Sequence, residues 1–535
     1  MREQIGWSAS GSGGAVAAGG TGSVAAGLEV LAEGGNAIDA AVATILALAV
    51  TDYGLFAIGG EIPLMLYEAR SQQVRVLSGI GRAPLDPASI AWYYEHGILD
   101  EGDYRAMPVP GALHLCLTAL GSFGTIGFDR AVAPTLRLLD AGDADWHPRL
   151  AETLRRLVEA ERRSSGPREA GLHAARDHFY RGDIAKELLA WYADVDSPLT
   201  ARDLAAQVPA LEAPVSVDFR GFAVHKCGPW TQGPVLCQSL RLLEERDLQA
   251  MGHLSPDHLH VVTEAMKLAY ADRDEYYADP EFVGVPLPRL LSDEYTQMRR
   301  QLVDMARASQ ERRPGDPYAM LQLIGGGPAA ANEVTTPISD TTTCVVADRW
   351  GNVVAATPSC NLCGNQPDPR TGVTQGNRLR CMNTNPLHPN RIQPGKRPRV
   401  TLTPTLVTQE GRLVAAISVA GGDLQDQTTL NVLLNHLEFG MAPAEALTVP
   451  RFSTDHLENS FDSDPDRSRA LKAPGSLQVN AGVGEDVRQE LAGRGHDVSV
   501  TDGFIAMPVM LAIEEDGTIH TAGDPAAGRH AGALQ

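Results

Sequence analysis

A run of three threonines, Thr341 to Thr343, directly follows Asp340. If the peptide bond before Thr341 is cut, Thr341 gains a free α-amino group, which titrates at about pH 8, far closer to neutrality than an unperturbed lysine. This amine would belong to the same residue as the hydroxyl, so the nucleophile would carry its own base. A plain β-strand is the simpler interpretation of the same run, because threonine favours strands.

The stretch before the threonines, residues 306–338, is rich in Gly, Pro, Ala and Arg. Its sequence at 325–328, Gly-Gly-Gly-Pro, fits neither a helix nor a strand. We therefore predict a long exposed connector, which in a compact protein is either functional or disordered. Such a connector would bring Thr341 to the first position of a strand.

The elements around Thr341 can be predicted from periodicity. Towards the N-terminus, the pattern predicts a buried strand at 15–18 and a helix at 23–33, then a buried helix that Asn36 and Asp39 open as a capping box. Residues 129–248 are predicted to be mostly helical, and Ser255-Pro256 begins another helix. After Asp340 the pattern predicts strands at 342–347 and 353–357, two hairpins (402–408 with 413–419, and 509–513 with 518–521) and a helix at 429–437.

The bulk composition restricts the class of partner. The chain has 535 residues, and 43% of them are apolar, which is typical of a globular protein. Its net charge of −21 should repel nucleic acid and anionic membranes. The N-terminus lacks the basic and apolar regions of a secretory signal, and the longest apolar stretch, 40–50, is too short to cross a bilayer. We expect a cytoplasmic protein that acts on a small-molecule substrate and has no membrane partner. The composition does not decide whether the protein forms a homo-oligomer.

Seven scattered cysteines argue against a disulfide framework. Cys360 and Cys363, with Cys381 and His388 downstream, could in principle bind zinc, but the second pair lacks ligand spacing. Free thiols that line a loop are the favoured interpretation, so no metal is expected. The glycine-rich residues 11–22 lack the lysine and the spacing of a phosphate-binding loop, so no nucleotide cofactor is expected.

Short motifs in a fixed order extend across most of the chain. Together they resemble the gamma-glutamyltransferase family of N-terminal-nucleophile hydrolases, and within it the acylase- and amidohydrolase-like branch. The motifs lie at residues 34–41 (GGNAIDAA), 58–60 (IGG), 109–111 (VPG), 231–234 (TQGP), 264–267 (EAMK), 271–273 (ADR), 341–342 (TT), 348–352 (DRWGN), 394–398 (PGKRP), 421–422 (GG) and 450–452 (PRF).

The resemblance implies an α+β fold, a four-layer αββα sandwich with two stacked antiparallel sheets. It also implies self-cleavage between Asp340 and Thr341, which would give a large subunit, 1–340, and a small catalytic subunit, 341–535. Thr341 would then attack an amide carbonyl, and the N–H groups of Gly421 and Gly422 would hold the oxyanion. No cofactor is implied.

Two further residues are assigned through the same resemblance. Ser359 falls where the family keeps a second hydroxyl beside the nucleophile, although a turn residue after Pro358 is an equal interpretation. Asn361 falls at a family position that contacts substrate.

The positions where the family binds the charged end of a glutamyl group differ here. The family's carboxylate-binding arginine corresponds to Ile80, and Arg82 is displaced by two residues, about 7 Å along a strand. Cys381 replaces the aspartate that binds the α-amino group, and Val400-Thr401 replace paired serines.

A site without these charges should bind a zwitterion poorly. We therefore predict an amidohydrolase acting on a substrate other than glutathione, with an acyl group that is smaller, less charged, or held by Arg82 or Arg378, and with contacts from Cys381 and Thr401. A conventional gamma-glutamyltransferase that uses Arg82 and an unprocessed, catalytically silent relative remain the alternatives.

Overall fold

Two antiparallel sheets of seven strands each lie face to face at the centre of the molecule. The computed structural model describes residues 5–99, 102–323, 341–362 and 364–535, so Asp340 and Cys363 lie outside the described residues.

The strands, in chain order, are β1 (Ser8–Gly11), β2 (Gly14–Gly19), β3 (Ile62–Glu68), β4 (Gln73–Gly79), β5 (Ala210–Glu212), β6 (Val215–Phe219), β7 (Phe222–Lys226), β8 (Gly315–Asp316), β9 (Leu321–Gln322), β10 (Cys344–Asp348), β11 (Val353–Ala356), β12 (Thr405–Gln409), β13 (Arg412–Ala420), β14 (Phe452–Ser453), β15 (Ser476–Asn480), β16 (Asp497–Thr501), β17 (Met507–Ile513), β18 (Ile519–Gly523) and β19 (Arg529–Leu534).

The α-helices are α1 (Thr21–Ala32), α2 (Ala37–Thr51), α3 (Pro87–His96), α4 (Ala112–Phe123), α5 (Phe128–Ala141), α6 (His147–Arg163), α7 (Arg168–Tyr180), α8 (Asp183–Asp194), α9 (Ala201–Ala206), α10 (Pro234–Leu243), α11 (Leu248–Met251), α12 (Pro256–Tyr276), α13 (Leu287–Leu290), α14 (Asp293–Arg300), α15 (Leu424–Leu437), α16 (Pro443–Thr448) and α17 (Glu485–Gly493).

Both large sheets combine strands from distant parts of the chain. The first sheet has the order β19-β2-β10-β11-β3-β4-β5, and the second has the order β1-β18-β17-β13-β12-β7-β6. Strands from the two sides of Thr341 are mixed in the first sheet, since β2 lies between β19 and β10, and β11 pairs with β3. The fold therefore cannot be divided at Thr341 without breaking sheet hydrogen bonds.

Apolar side chains fill three layers around these sheets. One cluster, which includes Met65, Val345, Leu406 and Leu511, lies between the two sheets. A second cluster joins the first sheet to α1, α2 and α4–α8, and a third joins the second sheet to α10, α12, α15 and α16. Helices on both outer faces of two stacked sheets confirm the predicted α+β, four-layer αββα architecture.

Most of the predicted elements are confirmed. β2 covers 15–18, α2 is buried from Ala37 to Ala49, and the capping box of Asn36 and Asp39 is formed. Helix α12 begins after Ser255, whose side chain accepts the backbone N–H of His258. The hairpins are β12–β13 and β17–β18.

Three predictions need correction. Strand β10 begins at Cys344 rather than at 342. Strand β12 begins at Thr405 rather than at 402. The region 129–248 is mostly helical, as predicted, and it also contains the β6–β7 hairpin, whose turn is formed by Arg220 and Gly221, both with positive φ. Helix α15 begins at Leu424 rather than at 429, because its polar first turn is buried and Asp426 pairs with Lys226 at 2.9 Å.

The predicted exposed connector is described only up to Leu323. Part of this segment is buried: Gly315 donates its backbone N–H to Asp272 at 2.9 Å, and Arg313 pairs with Glu264 at 2.8 Å. In the part of the chain that the structure describes, no helix has the length and apolarity needed to cross a membrane.

Candidate active site

Thr341 lies three residues before β10, and its side chain is completely buried. Its backbone forms an antiparallel bridge with Ser359. This bridge keeps the register of the β10–β11 pair, in which Cys344 faces Ala356. Thr341 is therefore held as an extension of the first sheet, next to an interior strand.

The neighbouring Thr342 is fixed by a polar network of its own. Its hydroxyl donates to Asp52, and Arg529 donates to both Asp52 (2.7 Å) and the Thr342 hydroxyl (3.1 Å). Its backbone N–H donates to the carbonyl of Pro358 at 2.8 Å. Because both the backbone and the side chain of Thr342 are bound, the residue before it has little freedom to move.

Ser359 lies between two backbone segments. It bridges Thr341 on one side and Glu61 on the other, where Ser359 N donates to Glu61 O at 3.0 Å and Glu61 N donates to Ser359 O at 2.8 Å. The Thr341 hydroxyl donates to the Ser359 Oγ at 3.3 Å. The geometry thus places two buried hydroxyl groups side by side.

Arg378 completes this cluster. Its Nη2 donates to the Ser359 Oγ, its Nε donates to Glu61 Oε1 at 2.6 Å, and both charged side chains are buried. Its Nη1 approaches the Cys381 sulfur at 3.7 Å. Arg378, which the sequence suggested as a substrate ligand, is therefore neutralised by Glu61 and positions Ser359.

Gly421 and Gly422 form the junction between β13 and α15. Both have positive φ, +144° and +58°, which side chains rarely adopt, and a Cβ on Gly421 would lie 2.9 Å from the Ala506 Cβ. Their carbonyls accept hydrogen bonds from the backbone N–H groups of Leu424 and Gln425, in the first turn of α15. Among the described residues, no group accepts a hydrogen bond from the backbone N–H of either glycine. An oxyanion hole requires such unengaged donors.

Two contacts connect this junction to the threonine. The Thr357 hydroxyl lies 3.1 Å from that of Ser418, which joins the end of β11 to the end of β13. A Cβ on Gly422 would lie 3.3 Å from Phe461, and the same aromatic ring lies 5.7 Å from the Arg378 guanidinium. A chain of contacts through Ser359, Arg378 and Phe461 therefore connects the nucleophile candidate to the two glycines.

Asn361 and Cys381 lie next to this cluster, and Thr401 is a third buried residue that the sequence analysis proposed as a substrate contact. Asn361 is buried, has φ of +49°, and its carbonyl accepts from Asn377 at 2.8 Å. Cys381 approaches Arg378, as described above. The Thr401 hydroxyl is buried and has no partner among the described residues, which a bound ligand could provide.

Arg82 is not brought to this cluster. Its two terminal nitrogens bind Glu281 at 2.9 and 3.0 Å, and one of them also donates to the Gly395 carbonyl at 3.1 Å. Glu281 could not be foreseen as its partner, since the two residues are far apart in sequence.

The residues considered for zinc make other contacts. The Cys360 sulfur faces the Thr374 carbonyl at 3.7 Å, and His388 binds Glu458 at 3.0 Å. The described residues contain no group of three His, Cys, Asp or Glu side chains arranged to hold a metal ion.

The sequence analysis missed Glu61 and Phe461. Glu61 is the one charged residue between the glycines at 59–60 and the apolar strand β3, a placement that could have indicated a buried ion pair. Phe461 lies in a loop, and no sequence signal indicates its contact with Gly422.

Several known proteins are similar to this chain over most of its length. The family model described as Gamma-glutamyltranspeptidase matches residues 23–144 and 136–534. A glutathione hydrolase proenzyme of Bacillus subtilis (strain 168) is 29% identical, covering 93% of this chain and 87% of the relative. An Acylase ACY 1 proenzyme of Pseudomonas sp. (strain SE83) is 30% identical, covering 92% and 89%.

Two solved structures are similar to this chain over its whole length. The structure of LmbA2991HD is 31% identical with a TM-score of 0.87, and the match covers 100% of both chains. A cephalosporin acylase from Bacillus halodurans, at 24% identity and a TM-score of 0.80 over 100% of this chain and 98% of the other, shares the fold.

Proposed function

Because the chain belongs to the gamma-glutamyltranspeptidase family of hydrolases and transferases, we propose that it is a self-processing amidohydrolase whose nucleophile is Thr341. The precursor cleaves itself between Asp340 and Thr341, and the mature enzyme hydrolyses an amide through a threonyl ester. The observation that carries the proposal is the buried Thr341 hydroxyl, 3.3 Å from the Ser359 Oγ that Arg378 also binds.

Self-cleavage begins when the Thr341 Oγ attacks the carbonyl carbon of Asp340. The C–N bond breaks, the Thr341 nitrogen takes a proton, and the acyl group becomes an ester on the hydroxyl. Water then hydrolyses this ester, which leaves Asp340 with a carboxylate and Thr341 with a free amine. Ser359 accepts the Thr341 hydroxyl hydrogen bond in the uncleaved geometry and so orients the oxygen.

In turnover the free amine of Thr341 takes the proton of its own hydroxyl as the oxygen attacks the substrate amide. The N–H groups of Gly421 and Gly422 bind the oxyanion that forms, and donors placed this way contribute about 3 kcal/mol each at comparable sites. Collapse releases the substrate amine, which takes the proton, and water hydrolyses the acyl ester. The Arg378 guanidinium, which is paired with Glu61, donates to the Ser359 Oγ and so holds this hydroxyl beside the nucleophile.

The proposed substrate is an amide other than glutathione. A γ-glutamyl group carries both a carboxylate and an ammonium, and burying either without a partner costs several kcal/mol. Cys381 offers no negative charge for the ammonium, and Glu61 already neutralises Arg378. The names of the relatives, glutathione hydrolase and acylase, support both this substrate class and the conventional one.

The intact mass of freshly purified wild-type protein tests the nucleophile. We expect two fragments, the smaller with its N-terminus at Thr341, and an uncleaved chain for Thr341→Ala. Thr343→Ala is the matched control, because this buried threonine is two residues from Thr341 and its hydroxyl has no partner among the described residues. It should still be cleaved.

An uncleaved wild-type chain without amidase activity would contradict the proposal and support a catalytically silent relative. A cleaved enzyme that clearly prefers a γ-glutamyl anilide over simple acyl anilides would instead support a conventional gamma-glutamyltransferase. The cytoplasmic location and the oligomeric state stay predictions.

A further inference from the structure

Residues 304–311, which we call the strap, cover the start of the predicted connector and lie on three buried histidines: His260, His456 and His496. At one end of the strap, His260 Nε2 contacts the Asp304 carbonyl at 2.8 Å. At the other end, His456 Nε2 contacts the Glu311 carbonyl at 3.1 Å. The proposed chemistry uses none of these groups.

The hydrogen bonds of His260 and His496 require both rings to be neutral. A carbonyl oxygen can only accept, so the proton of His260 lies on Nε2, which faces Asp304. Its Nδ1 then accepts from His496 Nε2, which lies 2.8 Å away. A second proton on His260 would place two N–H groups against each other. A second proton on His496 would enter at Nδ1, which is buried and has no partner among the described residues.

His456 is neutral for a similar reason. The backbone N–H of Gly475 donates to its Nδ1 at 2.9 Å, so Nδ1 carries no proton and Nε2 donates to the Glu311 carbonyl. Protonation of Nδ1 would break the bond from Gly475. Both ends of the strap are therefore held by imidazoles that cannot gain a proton without losing a hydrogen bond.

Charged groups hold the middle of the strap. Glu264 accepts the backbone N–H of Ser309 at 3.2 Å, and Lys267 donates to the Ser309 carbonyl at 3.2 Å. The carbonyl of Arg494 accepts the backbone N–H of Ala308 at 2.8 Å. The amides of Ala308 and Ser309 are thus closed by contacts to the elements beneath the strap, which makes them reporters of its position.

A protonated imidazole would find no free counterion in this cluster. The buried carboxylate, Glu264, already pairs with Lys267 and with Arg313, each at 2.8 Å. The other charged groups on the surrounding elements are Arg494, which pairs with two carboxylates, and the exposed Asp257, Glu311 and Glu490. Burial lowers the pKa of all three imidazoles, that of His456 to about 3.

We propose that the three histidines form an acid-sensitive clamp on the strap, which is closed at neutral pH and opens as they take up protons, while the sandwich beneath it stays folded. The strap precedes Thr341, whereas His456 and His496 follow it. The clamp would therefore join the two fragments of the proposed cleaved enzyme. The inference goes beyond the proposed function and does not depend on it, because an uncleaved chain makes the same contacts.

The direction of the pH effect follows from proton binding. Once the strap has opened, water reaches the imidazoles and their pKa returns to the ordinary value of about 6.5, so the open form binds more protons than the closed form. The clamp is at full strength above about pH 6.5 and weakens as the pH falls below that value. At pH 5.0, about 1.5 units lower, opening is favoured by about thirtyfold for His456 and by a similar factor for the His260–His496 pair.

Hydrogen exchange of the Ala308 and Ser309 amides at pH 7.5 and 5.0 measures the opening. The result is expressed as a protection factor, in which the intrinsic pH dependence of exchange cancels. In the wild-type protein we expect the protection of these two amides to fall by about a thousandfold between the two pH values, the product of the two factors. The amides of β13 should keep their protection and serve as the internal reference.

His456→Gln isolates one histidine. Glutamine can still donate to the Glu311 carbonyl and accept from Gly475, but it takes no proton, so the fall in protection should be smaller by about thirtyfold. His520→Gln is the matched control, because this partly exposed histidine lies on β18 and makes no contact with the strap. It should show the wild-type fall.

Three outcomes would overturn the clamp. In the first, wild-type protein protects the strap equally at both pH values. In the second, His456→Gln shows the same fall as the wild type. In the third, β13 loses protection together with the strap at pH 5.0, because acid would then unfold the whole molecule. Absence of self-cleavage in the wild type contradicts the proposed function alone, since the clamp is measured in either form of the chain.

Discussion

At the scale of single residues, the candidate site depends on a buried ion pair rather than on the threonine alone. Arg378 reaches Ser359, and Glu61 neutralises Arg378 at 2.6 Å. Buried pairs add little net stability, but removal of one partner leaves an uncompensated charge. The pair is therefore better understood as a device that orients Ser359 beside Thr341 than as a source of stability.

Arg378→Met separates orientation from stability. We expect a loss of about 3–5 kcal/mol in the free energy of unfolding, because Glu61 is left buried without its partner, together with slower self-cleavage. In the double variant Arg378→Met with Glu61→Gln, most of the stability should return while cleavage stays slow. Urea unfolding and the time course of cleavage measure the two effects. A double variant that regained the wild-type cleavage rate would contradict an orienting role.

At the scale of elements, the sharp junction of β13 and α15 decides where the two glycines proposed for the oxyanion hole lie. The strand ends at Ala420, both glycines turn with positive φ, and the helix begins at Leu424. Asp426 and Lys226 hold the buried first turn of this helix to β7 at 2.9 Å. The N–H groups are therefore fixed by two rigid elements, as preorganised donors must be.

Gly421→Ala tests this junction. The added methyl would lie 2.9 Å from the Ala506 Cβ at a backbone angle that alanine disfavours, so the N–H groups should shift. Loss of one oxyanion donor lowers kcat by about 10²–10³-fold at comparable sites. Gly440→Ala is the control: this glycine has φ of +69° and nothing within 4 Å of a Cβ, and it lies beyond the end of α15.

The control variant should lose about 1 kcal/mol of stability, as glycine substitutions at positive φ do, and keep its kcat. Steady-state kinetics on the best anilide and thermal unfolding supply the two measurements. If both variants lose activity equally, the effect is one of stability and the oxyanion assignment is wrong.

At the scale of the whole molecule, the proposed cleavage point lies inside a continuous sandwich. The first sheet places β10, which follows Thr341, between β2 and β11, and β19 lies on the other side of β2. The second sheet likewise mixes β1, β6 and β7 with strands from after residue 341. Cleavage would thus change one covalent bond without removing any of the described sheet pairings.

The two cleaved fragments should therefore stay together. We expect them to elute as one species on size-exclusion chromatography in buffer and to separate only in denaturant, because separation would break both sheets and the apolar layer between them. The uncleaved Thr341→Ala protein provides the reference elution volume. Dissociation of the fragments in native buffer would show that the sheets do not bind them as the fold requires.

Local pattern alone determined much of this molecule. The capping box at Asn36, the buried helix after it and the hairpins near the C-terminus follow from periodicity and turn residues, which act between neighbours in the sequence. The ordered motifs indicated the αββα fold and singled out Thr341, Ser359 and the glycines at 421–422. Weakly patterned elements, such as the polar first turn of α15, could not be predicted, because Lys226, which is distant in sequence, stabilises it.

Pairings between distant residues were decided by the tertiary structure. Arg82 and Arg378 both lie near motif positions in the sequence. In the fold, however, Arg82 pairs with Glu281, whereas Arg378 binds Ser359 and Glu61. Electrostatic interactions depend on distance in space and on burial, and neither can be read from the order of residues.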